Sequence, residues 1–220
     1  MALAIFDLDD TLLAGDSASL WLEYMVNTGM APFSMLATEQ AMMQQYRKGA
    51  LDMSAYLDFT LAPLRGLSVS EIQERVAQFV THMIAPRIYP EGIARLDWHR
   101  QRGDIPLLIS ASPAHIVHPI ARLLGIEHSL AIELETRDDS YTGQSCGTLT
   151  YREGKVIRLQ QWLTEHPAYS IERSFGYSDS RNDIPLLSAT DRPYVINPDR
   201  KLHSVALAQG WTVLCWNAPV

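Results

Sequence analysis

The chain has 220 residues, of which 47% are hydrophobic, and a formal net charge of −7. A chain of this length can bury about 70% of its unfolded surface, which is typical of a globular protein. Lys and Arg are dispersed and form no basic run, so the composition argues against nucleic acid as a partner.

The sequence also argues against a membrane partner and a secretion signal. The N-terminal apolar run lacks a charged leader and ends at Asp7, and no other segment approaches the length of a membrane span. Cys146 and Cys215 follow no disulfide or metal-ligand pattern. We therefore expect a cytoplasmic protein, and the sequence gives no prediction of its oligomeric state.

Short apolar runs alternate with helical patterns along most of the chain. The first run, Ala2–Phe6, predicts a strand buried on both faces. Further strands are predicted at 105–109, 173–177, 193–196 and 211–216, and helices at 93–102, 115–124 and 156–163. Residues 128–151 predict a strand followed by a β-hairpin. This alternation predicts an α/β fold, a doubly wound parallel sheet with a Rossmann-like core.

A helical segment interrupts the alternation between the first two strands. About a hundred residues separate these strands, whereas a parallel crossover needs only about a dozen. We expect residues 16–87 to form a small helical cap on a core of residues 1–15 and 88–220. The aromatic side chains of this segment are interpreted as core, with a cation-binding cage as the alternative, namely Trp21, Tyr24, Tyr46 and Tyr56.

Polar residues follow the ends of three predicted strands, where ligands bind in open α/β sheets. Asp7, Asp9 and Thr11 follow the first strand, Ser110 ends the second, and Asp179 and Asp183 follow the strand at 173–177. Lys155 opens the helix before that strand. Each residue alone is compatible with a helix cap, a turn or a surface charge, but their joint occurrence favours a catalytic site.

These motifs resemble the haloacid dehalogenase superfamily of aspartate-nucleophile phosphatases over the whole chain. "DLDDT", Ser110, Lys155 and "SDSRND" match its four motifs, and Ser178 stands where the family commonly has Gly. The helical segment directly after the first motif is similar to the cap of the branch that includes phosphoserine phosphatase. The resemblance implies a phosphomonoesterase that hydrolyses a small phosphate ester through an aspartyl-phosphate intermediate.

The resemblance also assigns roles to single residues. It implies that Asp7 is the nucleophile and that Asp9 acts first as acid and then as base. Family members that use the phosphorylated state differently, such as ion pumps, carry Thr at the position of Asp9. Asp at this position therefore favours a hydrolase. The phosphoryl oxygens would be bound by Ser110, Ala111, Lys155 and Asn182.

Charge balance predicts a metal ion at this site. Four carboxylates against the single ammonium of Lys155 would leave a charge of about −3 before a phosphate dianion entered. Mg²⁺ prefers oxygen ligands and would reduce this repulsion. The resemblance implies that the Asp7 carboxylate, the Asp9 carbonyl and the Asp179 carboxylate bind it, with Asp183 in support.

Two further residues bear on the substrate. By the same resemblance, Asp16 would meet an amino group and Arg47 a carboxylate, although a helix N-cap and a surface charge are the alternative interpretations. If Asp16 alone acts, phosphoethanolamine or histidinol phosphate fits as well as phosphoserine. Two other functions stay open, a phosphotransferase with the same intermediate and a non-catalytic protein that binds a phosphorylated metabolite.

Overall fold

The computed structural model describes residues 2–219 and contains a seven-stranded sheet. Its strand order is β4-β3-β2-β1-β5-β6-β7, and every neighbouring pair is parallel except β3 with β4. The strands are Leu3–Phe6 (β1), Ile105–Pro113 (β2), His128–Arg137 (β3), Ser140–Cys146 (β4), Phe175–Ser178 (β5), Arg192–Ile196 (β6) and Thr212–Leu214 (β7). The predicted α/β fold with a doubly wound sheet is confirmed.

In the described residues 2–219, every helix lies between two of these strands along the chain. The α-helices are Ser17–Asn27 (α1), Ser34–Lys48 (α2), Met53–Leu61 (α3), Val69–Phe79 (α4), Pro90–Gln101 (α5), Ala114–Leu123 (α6), Glu153–Glu165 (α7), Ile184–Ser188 (α8) and Arg200–Gln209 (α9). Short helical turns cover Ala62–Leu64, Val80–Ile84, Ala85–Arg87 and Arg181–Asp183. Among residues 2–219, no helix is long and apolar enough to span a membrane.

The central strand β1 is apolar on both faces because helices cover both sides of the sheet. Leu3 and Ile5 pack in one buried cluster with Leu159 of α7, and Phe6 packs in another with Ile116 of α6. Successive side chains of a strand point to opposite faces, so four apolar residues supply both clusters. The three large side chains Leu3, Ile5 and Phe6 each contribute about 1.5–3 kcal/mol when fully buried. This burial fixes the point at which the chain leaves the sheet.

The two ends of the segment between β1 and β2 lie next to each other, where the chain leaves the sheet and returns to it. Leu13 forms an antiparallel bridge with Ile88, and the Ala14 N–H donates to the Arg87 carbonyl at 2.8 Å. We call residues 16–87 the insert. Its buried side chains belong to the same apolar cluster as Phe6, so it shares the core of the sheet. The division into core and cap stays a prediction, which this entry geometry supports.

The β3–β4 hairpin fixes the insert above the sheet. The Gly66 N–H donates to the Tyr141 carbonyl at 2.8 Å, and the Val69 N–H donates to the Asp139 carbonyl at 2.9 Å. The predicted hairpin is therefore an element that binds the insert through its backbone. As a result, the start of α4 is tied to the edge of the sheet.

Candidate active site

Three parallel strands end together beside Asp7. β1 lies between β2 and β5, and the Asp7 N–H continues the pairing by donating to the Tyr177 carbonyl at 2.9 Å. Ser110 lies where the register of β2 shifts, and Asp179 directly follows β5. Strand order reverses between β1 and β5, which is where ligands bind in such sheets. The fold thus brings the separate motifs to one point.

Lys155 connects Asp7 with Asp183. Its Nζ lies 2.7 Å from Asp7 Oδ1 and 2.7 Å from Asp183 Oδ2, and its side chain is only 2% exposed. Asp183 Oδ2 also accepts a hydrogen bond from Ser178 Oγ at 2.8 Å. The serine that departs from the family pattern therefore contacts the ion pair and orients Asp183.

Burial and charge act on these groups in opposite directions. Burial raises the pKa of the Asp7 carboxyl to about 7, while the Lys155 ammonium opposes that rise. Burial alone would lower the pKa of Lys155, but the charges of Asp183 and Asp7 outweigh it and hold the pKa above its usual range. Lys155 is therefore charged throughout the physiological range and holds Asp7 in place.

Thr11 stands between Asp7 and Asp179. Its Oγ1 lies 3.3 Å from Asp7 Oδ2 and 3.3 Å from Asp179 Oδ1, and it accepts from the Asp179 N–H at 3.1 Å. One hydroxyl proton can be donated to only one of the two carboxylates at a time. Thr11 thus orients the turn after β1 and also contacts the loop after β5.

The carboxylates beside Thr11 suit a hard cation. Burial and the charges of Asp7, Asp10 and Asp183 hold the pKa of Asp179 well above its usual range, so a nearby positive charge would stabilise its ionised form. Within residues 2–219, no three His, Cys, Asp or Glu side chains converge on a metal position. The predicted donors are two carboxylates and the Asp9 carbonyl, which leaves places for waters. Mg²⁺ keeps several waters in protein sites, so the donor set fits this ion.

Asp9 is held by three serines. Its Oδ1 accepts from the Ser17 N–H at 2.6 Å, and its Oδ2 accepts from Ser110 Oγ at 3.2 Å and Ser112 Oγ at 2.8 Å. Ser17 begins α1, so Asp9 joins the sheet to the insert. The Ser110 hydroxyl, predicted to bind phosphate, here contacts Asp9. A hydroxyl can both donate and accept a hydrogen bond. The Ser110 and Ser112 hydroxyls can therefore donate to the ionised Asp9 carboxylate and accept from its protonated form.

Asn182 presents an unused donor. Its Oδ1 accepts from Arg152 Nε at 3.3 Å, whereas its buried Nδ2 has no hydrogen-bond partner among the described residues. A buried amide without a partner costs free energy, and such groups in native proteins call for an explanation. A phosphoryl oxygen would satisfy this donor. Ala111, also predicted to bind phosphate, lines a small cavity with Asp9 and Asp16.

Asp16 and Arg47 both line a cleft of about 950 Å³ that runs from Asp9 along the insert. Asp16 is the N-cap of α1, since its Oδ1 accepts from the Ser19 N–H at 2.8 Å. Burial and the charge of Asp9 raise the pKa of Asp16 to about 8. Arg47 is exposed at the end of α2. Asp16 is therefore both the N-cap of α1 and a residue that lines the cleft.

A family model for haloacid dehalogenase-like hydrolases matches residues 4–188. The chain belongs to this family. A histidinol-phosphatase of Neisseria meningitidis serogroup C (strain 8013) is 38% identical over 216 residues, which cover 96% of this chain and 97% of that protein. A phosphoserine phosphatase of Mycobacterium tuberculosis is 29% identical over 96% of this chain and 70% of its own length. This haloacid dehalogenase-like hydrolase is accordingly a phosphatase, as predicted.

Solved structures show the same fold. A protein of unknown function from Bordetella pertussis Tohama I superposes with a TM-score of 0.88 at 36% identity, covering 97% of each chain. A phosphoserine phosphatase carrying an analogue of the phospho-aspartyl intermediate superposes with a TM-score of 0.70 at 16% identity, over 97% of this chain and 92% of that one. The second likeness concerns the fold alone.

Sequence reasoning missed several residues of the site in this haloacid dehalogenase-like hydrolase. Ser112 and Ser17 contact Asp9 or each other, Arg152 contacts Asn182, and Tyr46 and Tyr56 line the cavity beside Asp9. Both tyrosines pack with the core, as the preferred interpretation has it, and they also line this cavity. Ser112 follows Ser110 by two residues in the sequence "SASP", and this spacing was the available signal. For the tyrosines, only the packing of the insert decides which side they face.

Proposed function

We propose that this chain is a Mg²⁺-dependent phosphatase that hydrolyses a small phosphate monoester through an aspartyl-phosphate on Asp7. The observation that carries the proposal is the position of Asp7. It lies at the carboxyl end of the central strand, paired with Lys155 at 2.7 Å and flanked by Asp9 and Asp179. A carboxylate held by a buried cation, next to a cleft that Asp9 and Asp179 line, is suited to nucleophilic attack.

In the first step, a carboxylate oxygen of Asp7 would attack the phosphorus atom. The bond from phosphorus to the alcohol oxygen breaks, and Asp9 donates its proton to the leaving oxygen. In the second step, Asp9 takes a proton from a water that attacks the phosphoryl group, and the bond to Asp7 breaks. The hydroxyl of Ser112 keeps Asp9 in place in both steps, which leaves the hydroxyl of Ser110 free to donate to the phosphoryl group.

The phosphoryl oxygens would be bound by Lys155, the free Asn182 amide N–H, Ser110 and the backbone of Ala111. Mg²⁺ would be held by the Asp7 and Asp179 carboxylates and the Asp9 carbonyl, with Asp183 in support. When bound, the ion neutralises carboxylate charge and polarises the phosphoryl group. The ester is proposed to carry an amino or imidazole group that meets Asp16, as in phosphoserine, histidinol phosphate or phosphoethanolamine. We place the enzyme in the cytoplasm.

The test measures hydrolysis of an aryl phosphate with and without Mg²⁺ by the parent and by Asp7→Asn. We expect Asp7→Asn to lower kcat by about 10³ or more, because the nucleophile is lost. Asp10→Asn is the matched control, since Asp10 is an exposed turn residue with φ of 52° that Asn also adopts. Retained activity of Asp7→Asn, or full activity after chelation of the metal, would contradict the proposal.

A phosphotransferase with the same intermediate is distinguished by its products. If water is the acceptor, inorganic phosphate and released alcohol form in equal amounts, even with an added amino alcohol. Transfer would instead yield a phosphorylated amino alcohol at the expense of inorganic phosphate. A protein that only binds its phosphorylated ligand would release neither product.

A further inference from the structure

The insert side of the cleft is strongly acidic. Asp16, Glu23 and Glu39 line it, and Arg47 is the cation among the insert residues that line it. Carboxylates at the surface of a cleft attract cations and repel anions. An acidic wall is not a binding site by itself, so the positions of the single side chains decide what this wall can bind.

Glu39 is buried on this wall. It lies on α2, is 8% exposed, and accepts a short hydrogen bond from Ser19 Oγ at its Oε1. Its Oε2 accepts no hydrogen bond from any residue in the described range 2–219. Burial raises the pKa of Glu39 although the Ser19 hydrogen bond and the charge of Arg47 oppose that rise, so the ionised carboxylate here carries a free-energy cost. A bound cation would offset that cost.

Asp16 and Glu39 both accept hydrogen bonds from Ser19. The Ser19 N–H donates to Asp16 Oδ1, and the Ser19 hydroxyl donates to Glu39 Oε1. The two carboxylates are thus held by one residue, and they belong to different helical elements of the insert. Their like charges repel, which again favours a cation between them.

Tyr56 adds an independent observation. Its side chain on α3 is 5% exposed, and its buried hydroxyl has no hydrogen-bond partner among the described residues. Tyr56 lines a cavity of about 20 Å³ together with Asp9, Asp16 and Tyr46. This space admits one group of about the size of a water molecule or an ammonium. The Tyr56 oxygen can accept a hydrogen bond from such a group, and its ring can contact the cation.

We propose that Glu39 and Tyr56, acting with Asp16, bind the cationic nitrogen of the substrate's alcohol portion. The preferred substrate class is then a phosphate monoester whose alcohol carries a net positive charge and no carboxylate. This inference rests on the proposed phosphatase function. The phosphoryl group would lie against Asp7, while the nitrogen lies beyond Asp9 between the insert helices α1, α2 and α3.

The test compares kcat/KM for phosphoethanolamine with kcat/KM for propyl phosphate, a neutral ester of similar size, in the presence of Mg²⁺. In the parent, we expect the cationic ester to be preferred. Glu39→Gln keeps the size and the Ser19 contact but removes the charge. It should lower the ratio of the two kcat/KM values by about tenfold or more, with propyl phosphate changed less than about threefold.

Tyr56→Phe is the second variant, since it keeps the ring and removes only the hydroxyl. We expect the ratio to fall by about tenfold, in keeping with one lost hydrogen bond to a charged group. Glu23→Gln is the matched control, because Glu23 lies on the same wall but is exposed. It should change the ratio less than about twofold, since exposed charges are screened.

Each outcome decides between distinct alternatives. An equal loss for both esters in Glu39→Gln and Tyr56→Phe assigns these residues a structural role and overturns the inference. A parent that prefers phosphoserine to phosphoethanolamine overturns the predicted lack of a carboxylate. A parent that hydrolyses propyl and aryl phosphate without a cation preference overturns the inference but leaves the proposed function intact. If no ester is hydrolysed, the proposed function itself fails. If Glu39→Gln does not fold, Tyr56→Phe decides.

Discussion

Lys155 Nζ lies at the same distance, 2.7 Å, from one oxygen of Asp7 and one oxygen of Asp183. All three side chains are buried, and the two carboxylates belong to segments more than 170 residues apart. One ammonium thus joins the ends of β1 and β5 through a side chain of α7. The same contact stabilises the fold and positions the nucleophile.

Replacing Lys155 by Met should therefore affect stability as well as activity. Two buried carboxylates would lose their cation, and breaking a buried pair typically costs about 3–5 kcal/mol. We expect the free energy of unfolding to fall by about this amount in metal-free urea denaturation followed by circular dichroism. Lys201→Met is the control, because Lys201 is exposed and should change it by less than about 0.5 kcal/mol. An unchanged midpoint in Lys155→Met would contradict the role of this contact.

Replacing Ser112 tests the role of Asp9 as acid and base. Its hydroxyl donates to Asp9 at 2.8 Å and is only 4% exposed, so its loss leaves one Asp9 oxygen with the longer Ser110 contact. A hydrogen bond to a charged group contributes about 1.5–3 kcal/mol. We expect Ser112→Ala to lower kcat for an aryl phosphate by about tenfold, with KM changed little. A rise in KM at constant kcat would mean that Ser112 acts in substrate binding instead.

The pKa of Asp16 predicts how stability depends on pH. This pKa is about 8 in the folded protein, against 3.8 for the reference carboxyl. A raised carboxyl pKa contributes stability that is fully present below the unfolded value and is lost as the pH rises through the folded value. The parent should therefore lose up to about 1.4 kcal/mol per pH unit between these limits through this group.

Asp16→Asn isolates that contribution, because Asn also serves as an N-cap. The difference in unfolding free energy between variant and parent should rise in favour of the variant from pH 4 to pH 8. Urea denaturation at a series of pH values measures it, with Asp52→Asn, which changes the N-cap of α3, as the baseline. A difference that does not change with pH would show that Asp16 ionises normally in the folded state.

Position 154, next to Lys155, has no space for a side chain. A Cβ atom at this position would lie 1.9 Å from the Leu149 carbonyl oxygen, so either the loop before α7 or the helix itself must move. We expect Gly154→Ala to lower the free energy of unfolding by about 3 kcal/mol or more and to reduce activity by displacing Lys155. Gly103→Ala is the control, with φ of 72° but open space around the site, and should cost about 1 kcal/mol. Unfolding by urea distinguishes the two.

Part of this structure followed from the sequence because it depends on local patterns. The apolar run before Asp7 predicted a buried strand, and alternation of strands with helices predicted the α/β sheet that the structure shows. The ends of elements were less accurate. β2 continues to Pro113 instead of ending at Ile109, because an irregularity in its register carries Ser110 and Ser112 beyond the apolar run.

By itself, the sequence determined the fold class, the family and the residues around Asp7, since each of these depends on residue type and spacing at strand ends. Only the tertiary structure decided which side chains of the insert meet that site. Glu39 and Tyr56 lie on separate helices, and their helical pattern is equally compatible with a core position. Their place beside Asp16 depends on how α1, α2 and α3 pack against the sheet, and no local pattern in the sequence encodes that packing.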